Sequence, residues 1–163
     1  MAYHNFCILV HRPWTSQSSQ PPNNLGPGYQ HARKICRKAA SEIASLLRLY
    51  ESHYGFRMMN VYVVTIIFSA SLILIFGLTT AAGSTHARDR EENDRLAGDL
   101  NTCFRALDEL GRSYESAKRT RDRLLELRQL WTRRKEDARI KTKRARGQRL
   151  EVPDTGEKRI RTS

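Results

Sequence analysis

Apolar residues recur along this chain at helical intervals in three places and run without a break in a fourth. Ile35, Cys36, Ala39, Ala40, Ile43, Leu46, Leu47 and Tyr50 form one continuous stripe, with Arg33, Lys34, Arg37, Lys38 and Arg48 on the opposite face. Leu96, Leu100, Cys103, Phe104, Leu107 and Leu110 keep the same spacing, and Gly111 stands where a glycine C-cap belongs. Tyr114, Ala117, Leu124, Leu127 and Trp131 make the stripe of a third helix, from about Ser113 into the 130s. A shorter helix, Ala2 to Arg12, is expected to stop at Pro13, whose ring and missing N–H oppose a continued helix. Positions 13–30 are rich in Pro, Gly, Ser, Gln and Asn and read as a loop. No strand alternation and no internal repeat occurs, so the fold class is all-α: a partial helical domain with one fully apolar central helix surrounded by amphipathic ones.

The unbroken run is Val61–Leu78, which carries no charge. As a helix it spans about 27 Å at about 1.5 Å per residue, close to the thickness of a bilayer core. Two environments fit it. One is lipid, with a transmembrane helix over 61–83, basic flanks before it and an endomembrane, single-pass location. The other is protein, with the run as the central rod of a helical domain. Covering such a rod takes about five or six helices at about 8–10 Å between axes. This chain offers three long ones and the Ala2–Arg12 piece, so the cover is expected to be incomplete.

Charge changes the picture at the C-terminal end. The chain has net charge +12, and residues 112–163 hold 18 Lys/Arg against 8 Asp/Glu, so most of the excess lies there. A basic tail is expected over 138–163, without apolar periodicity and disordered. Arg133, Arg134 and Lys135, followed by Lys143, Arg144 and Arg146, fit a bipartite nuclear-import patch. Such side chains suit acidic grooves and bind phosphates without sequence preference. The three cysteines, Cys7, Cys36 and Cys103, are far apart and lack metal-ligand spacing, so they read as small core residues in a reducing compartment. No nucleophile–base set, phosphate loop or carboxylate pair is present, and the chain is not expected to be an enzyme or to hold a cofactor.

The order of motifs resembles that of a known family. Tyr3, His4, Ile8, His11, Arg12 and Pro13 stand where the regulatory domain of fungal zinc-cluster (Zn2Cys6) transcription factors has a helix ending in His-Arg-Pro. Cys36, Ala39 and Ala40 match its Cys-x-x-Ala-Ala helix, and Tyr50, Tyr54 and Gly55 its Tyr-x-x-x-Tyr-Gly segment. An uninterrupted apolar helix comes next, then Cys103, Ala106, Leu107 and Leu110 in a Cys-x-x-Ala-Leu-x-x-Leu pattern. The set covers Tyr3 to about Trp131 and is most similar to the nitrate-assimilation regulator group.

The resemblance implies that residues 1–137 are the C-terminal part of such a regulatory domain, acting in the nucleus in transcription by RNA polymerase II. The six-cysteine zinc module of the family does not occur among these residues, so zinc belongs only to that absent cluster. Pro13 is then a helix stop, and Arg12 is expected to tie the helix end. The expected partners are the missing part of the domain or other transcription proteins, with DNA met only indirectly or through the basic tail. The chain reads as a fragment or truncated form of a regulator.

Overall fold

Each amphipathic stripe and the uncharged run forms a helix. The structure, a computed structural model, describes residues 1–15, 27–81 and 87–149. In order these are α1 (Ala2–Thr15), α2 (Pro27–Tyr54), a 3₁₀ turn (Phe56–Met58), α3 (Val63–Ala81), α4 (Ala87–Leu110) and α5 (Glu115–Arg149). The all-α class expected from the periodicity is what the described residues show.

Local chemistry sets most boundaries. α2 opens on Pro27, whose fixed φ suits the first helical position, so the helix starts inside the stretch expected to be loop. It ends where Gly55 adopts φ +69°, a left-handed conformation that L side chains rarely take, with the Gly55 N–H donating to the Glu51 carbonyl at 3.1 Å. Gly111 follows α4 as expected, with its N–H 2.8 Å from the Leu107 carbonyl, but it is not in the left-handed region. A Cβ there would come within 3.1 Å of the Leu107 carbonyl oxygen, so crowding explains this glycine.

Two expectations about helix length are corrected. α1 does not stop at Pro13 but continues to Thr15. A proline in the final turn loses a single backbone bond, and the Thr15 hydroxyl adds a bond to the Arg12 carbonyl at 2.8 Å. α5 runs to Arg149, through the stretch from 138 expected to be disordered. Its Lys, Arg, Ala and Gln are good helix formers, and no proline intervenes before Pro153. The remaining loop and tail positions, 16–26 and 150–163, lie outside the described residues.

The helices alternate in direction around α3. Arg37 pairs with Glu92 at 2.8 Å, Arg48 with Asp99, and Arg105 with Glu51 at 2.6 Å, which sets α2 and α4 side by side and parallel. α3 returns between them: a Cβ on Gly77 would lie 3.3 Å from Leu96 and 3.6 Å from Arg37, so this glycine admits α2 and α4 to close range. α1 packs on α2 and α3, and α5 on α3 and α4. Trp131 of α5 meets Phe76 edge-to-face at 6.1 Å between ring centroids.

Four neighbours therefore cover α3, and they cover it better than expected. Ile67, Ala70, Ser71 and Leu74 are fully buried, and Val64, Ile66, Ile73 and Ile75 nearly so. The Ser69 hydroxyl is satisfied inside the helix, donating to the Thr65 carbonyl at 3.1 Å. A helix clothed by protein on these sides does not face acyl chains. Among the described residues no helix is long and apolar enough to cross a membrane, so the transmembrane reading of 61–83 gives way to the central rod. Positions 82 and 83 lie outside the described residues.

Because α3 is the shared core of all five helices, Ile67→Ala is expected to destabilise the fold by about 2–5 kcal/mol, through lost burial and an unfilled cavity. Urea unfolding followed by circular dichroism checks this; a loss below about 1 kcal/mol contradicts the packing described.

Candidate functional site

The family-like positions divide into two groups by burial. Ile8, Cys36, Ala39 and Ala40 are buried where α1 crosses α2, as are Cys103, Ala106, Leu107 and Leu110 on α4. Small residues at 36, 39 and 40 let α1 approach, and the Cys36 thiol lies 4.0 Å from the Ile8 carbonyl oxygen. These positions hold the bundle together.

The less buried group lies on α1 and at the end of α2, where Tyr50 is half-buried, Tyr54 is exposed and their ring centroids are 5.1 Å apart. His11 Nδ1 is 2.8 Å from the Cys7 carbonyl oxygen of its own helix, and the Tyr3 and His4 rings meet edge-to-face at 5.3 Å. The Arg12 side chain is exposed and makes no ion pair or hydrogen bond among the described residues, so it does not tie the helix end as expected.

α1 is apolar on more than its core side. Tyr3, Phe6, Val10 and Trp14, at helical offsets of 3, 7 and 11, are 60–73% exposed, with Leu9 beside them at 46%. A helix apolar on both sides is one that larger domains bury. The spacing was readable in the sequence, but the core-facing Ile8 and Cys7 interleave with it and blur the pattern into a short apolar run.

A second opening lies on α3 itself. Neighbour contacts run α1–α2–α4–α5 around the rod, and α1 and α5 do not touch among the described residues. On the rod, Thr65 is exposed and Phe68 half-buried. At the α5 side of this seam a cleft of about 500 Å³ is lined by Val61, Tyr62, Thr65, Phe68, Thr120 and Arg123, among others. Higher up, the Arg33 guanidinium lies 5.2 Å from the Phe76 ring centroid, and Trp131 covers the same ring, which narrows the seam there. Sequence periodicity could not show the seam, since it arises from which helices fail to meet.

Arg133 and Arg134 of the expected import patch are exposed on α5. Lys135, Lys143, Arg144 and Arg146 lie on the same helix, with side chains outside the described residues. Among the described residues no group of His, Cys, Asp or Glu could hold a metal ion. What the arrangement offers chemically is apolar surface to bury and positive charge to pair.

No family profile and no solved structure matches this chain. Among curated proteins it is similar to the nitrogen assimilation transcription factor nirA of Emericella nidulans, with 31% identity over 123 residues. The match takes in 74% of this chain and 12% of that protein, so the chain spans about an eighth of the relative's length.

The thiols make a test of the packing. Burial pushes Cys36 up to about 11, with Cys7 nearby adding to the effect, and pushes Cys103 up to about 12. Their contribution to stability is full below pH 9 and is lost as the pH rises through 11–12, because the unfolded thiols ionise first. In native protein at pH 8, a thiol reagent is expected to label Cys7 promptly and Cys36 and Cys103 only on unfolding. Mass spectrometry of timed labelling checks the order; prompt labelling of Cys103 contradicts the core described.

Proposed function

We propose that this chain is a helical portion of the regulatory domain of a fungal zinc-cluster transcription factor of the nitrate-assimilation group, working in the nucleus through protein contacts. The observation that carries the reading is the similarity to a nitrogen assimilation transcription factor over most of this chain. The ordered motifs support it, since Ile8, Cys36, Ala40, Cys103 and Leu107 are the residues on which the bundle closes. The exposed α1 stripe supports it as well, because a helix in the interior of a larger regulatory domain needs apolar residues on both sides.

In this reading the 163 residues contribute regulation without DNA recognition of their own. A six-cysteine cluster cannot be built from three separated cysteines, two of them buried in the core. Zinc and direct sequence readout belong to a module outside this stretch. Contacts with DNA through α5 are non-specific, set by its positive charge. The import patch delivers the chain to the nucleus, and the missing part of the domain or other transcription proteins are its partners.

A fluorescently tagged chain is expected in the nucleus, and replacing Arg133, Arg134, Lys135, Lys143, Arg144 and Arg146 by alanine is expected to shift it to the cytosol. Fused to a heterologous DNA-binding module, the chain is expected to change reporter transcription at least about threefold. Imaging and a reporter assay make the check. A chain resistant to carbonate extraction from membranes, or one silent in the reporter, removes the reading.

A further inference from the structure

We infer that the seam between α1 and α5 is a docking groove for one amphipathic helix with acidic flanks, supplied by a part of the regulator outside the stretch described here. The inference rests on the transcription-factor reading for the source of that helix, and on geometry for the groove.

The floor of the groove is α3. Thr65, Phe68, Leu72 and Phe76 follow one another at offsets of 3, 7 and 11, so they lie on one side of the rod. It is also the rod's thinnest cover: Thr65 is exposed, Phe68 and Phe76 are half-buried and Leu72 retains 9% exposure, while Ile67 and Leu74 on the far side have none. From Val61 to Phe76 the floor runs for about 22 Å, the length of a helix of about 15 residues. Its ends differ. Trp131 and Arg33 converge on Phe76 at one end, and the cleft beside Val61, Tyr62 and Phe68 stands open at the other.

Charge selects the occupant. The α5 wall carries Arg119 and Arg123, which line one cleft surface with Glu115, Ser116 and Thr120, two cations against one carboxylate. Arg119 has only a distant partner, Glu115 at 3.9 Å, and Arg123 makes no ion pair among the described residues. α1 contains no acidic residue, and its exposed Arg12 makes no ion pair among the described residues. A second copy of this chain would bring another +12 to a basic rim, and its own exposed helix, α1, has no carboxylate to offer. An apolar stripe flanked by Glu or Asp fits both floor and rim. The relative is about eight times longer than the stretch it shares with this chain, which leaves ample polypeptide to supply such a helix.

The test is a binding titration with the full chain. Twenty-residue peptides tiled across the Emericella nidulans regulator, outside its matched 123 residues, serve as probes. Tryptophan fluorescence, from Trp131 at the narrow end of the groove and Trp14, gives the readout. One acidic amphipathic tile is expected to bind, at least tenfold more weakly to Thr65→Arg and several-fold more weakly to Arg123→Glu, with affinity falling as salt rises. Both substituted residues are exposed, so these variants are expected to fold as the parent does by circular dichroism.

The inference is overturned if no tile binds, if the variants bind unchanged, or if the chain forms a dimer that Thr65→Arg dissolves, which gives the groove to a second copy. A tile that binds as expected to a chain that is silent in the reporter keeps the groove and removes the transcriptional reading. An active, nuclear chain whose seam binds nothing does the reverse.

Discussion

A helix with isoleucine, leucine, valine or phenylalanine on every side cannot be left in water, and the other four helices are placed by that requirement. α3 has no charged residue to turn outward, so each neighbour must present an apolar stripe to it. The stripes of α2, α4 and α5 meet it through Ile43 and Leu47, Leu100 and Leu107, and Leu124, all buried. α1 completes the set with Ile8. Two of the hydroxyls on α3 are tolerated because Ser69 and Thr79 bond back to carbonyls one turn earlier, at 3.1 and 2.9 Å.

Outside that core, charge fixes register. The contacts of Arg37 with Glu92, Arg48 with Asp99 and Arg105 with Glu51 run along the parallel pair α2 and α4, far apart in sequence but at matching heights. Asp99 is the least exposed of these carboxylates, and Arg48 also donates to the Thr102 hydroxyl at 3.2 Å, so this pair is the best ordered of the three. The other two are more open to water and steer alignment while adding little to stability. Arg121 with Asp108 does the same for α4 and α5.

Much of this was legible in the residues, because helical periodicity is local. The stripes from Ile35 to Tyr50 and from Leu96 to Leu110, the corner at Gly55 and the apolar rod all stand where the pattern put them. Misjudged boundaries have local causes. Pro13 sits late enough in α1 to cost one bond, and the basic residues after 138 are helix formers despite lacking an apolar stripe. The choice between lipid and protein around α3 was not legible in hydropathy, which reports the rod and not its neighbours, and only the ordered motifs on either side of the run pointed to protein. The seam was hidden for a similar reason. Whether α1 reaches α5 depends on packing angles summed over the whole bundle, and no residue interval encodes it.

The length of α5 has a mechanical consequence. Among the described residues its buried or half-buried apolar anchors end at Trp131, yet the helix continues for 18 residues to Arg149, and Ile140 on that extension is half exposed. A straight rod of that length projects about 27 Å beyond its last anchor. A contact made at its far end is a bundle's width away from α3, like a handle held clear of the vessel. A contact at that tip and one beside Phe68 are separated by the whole length of the extension, so neither stands in the way of the other.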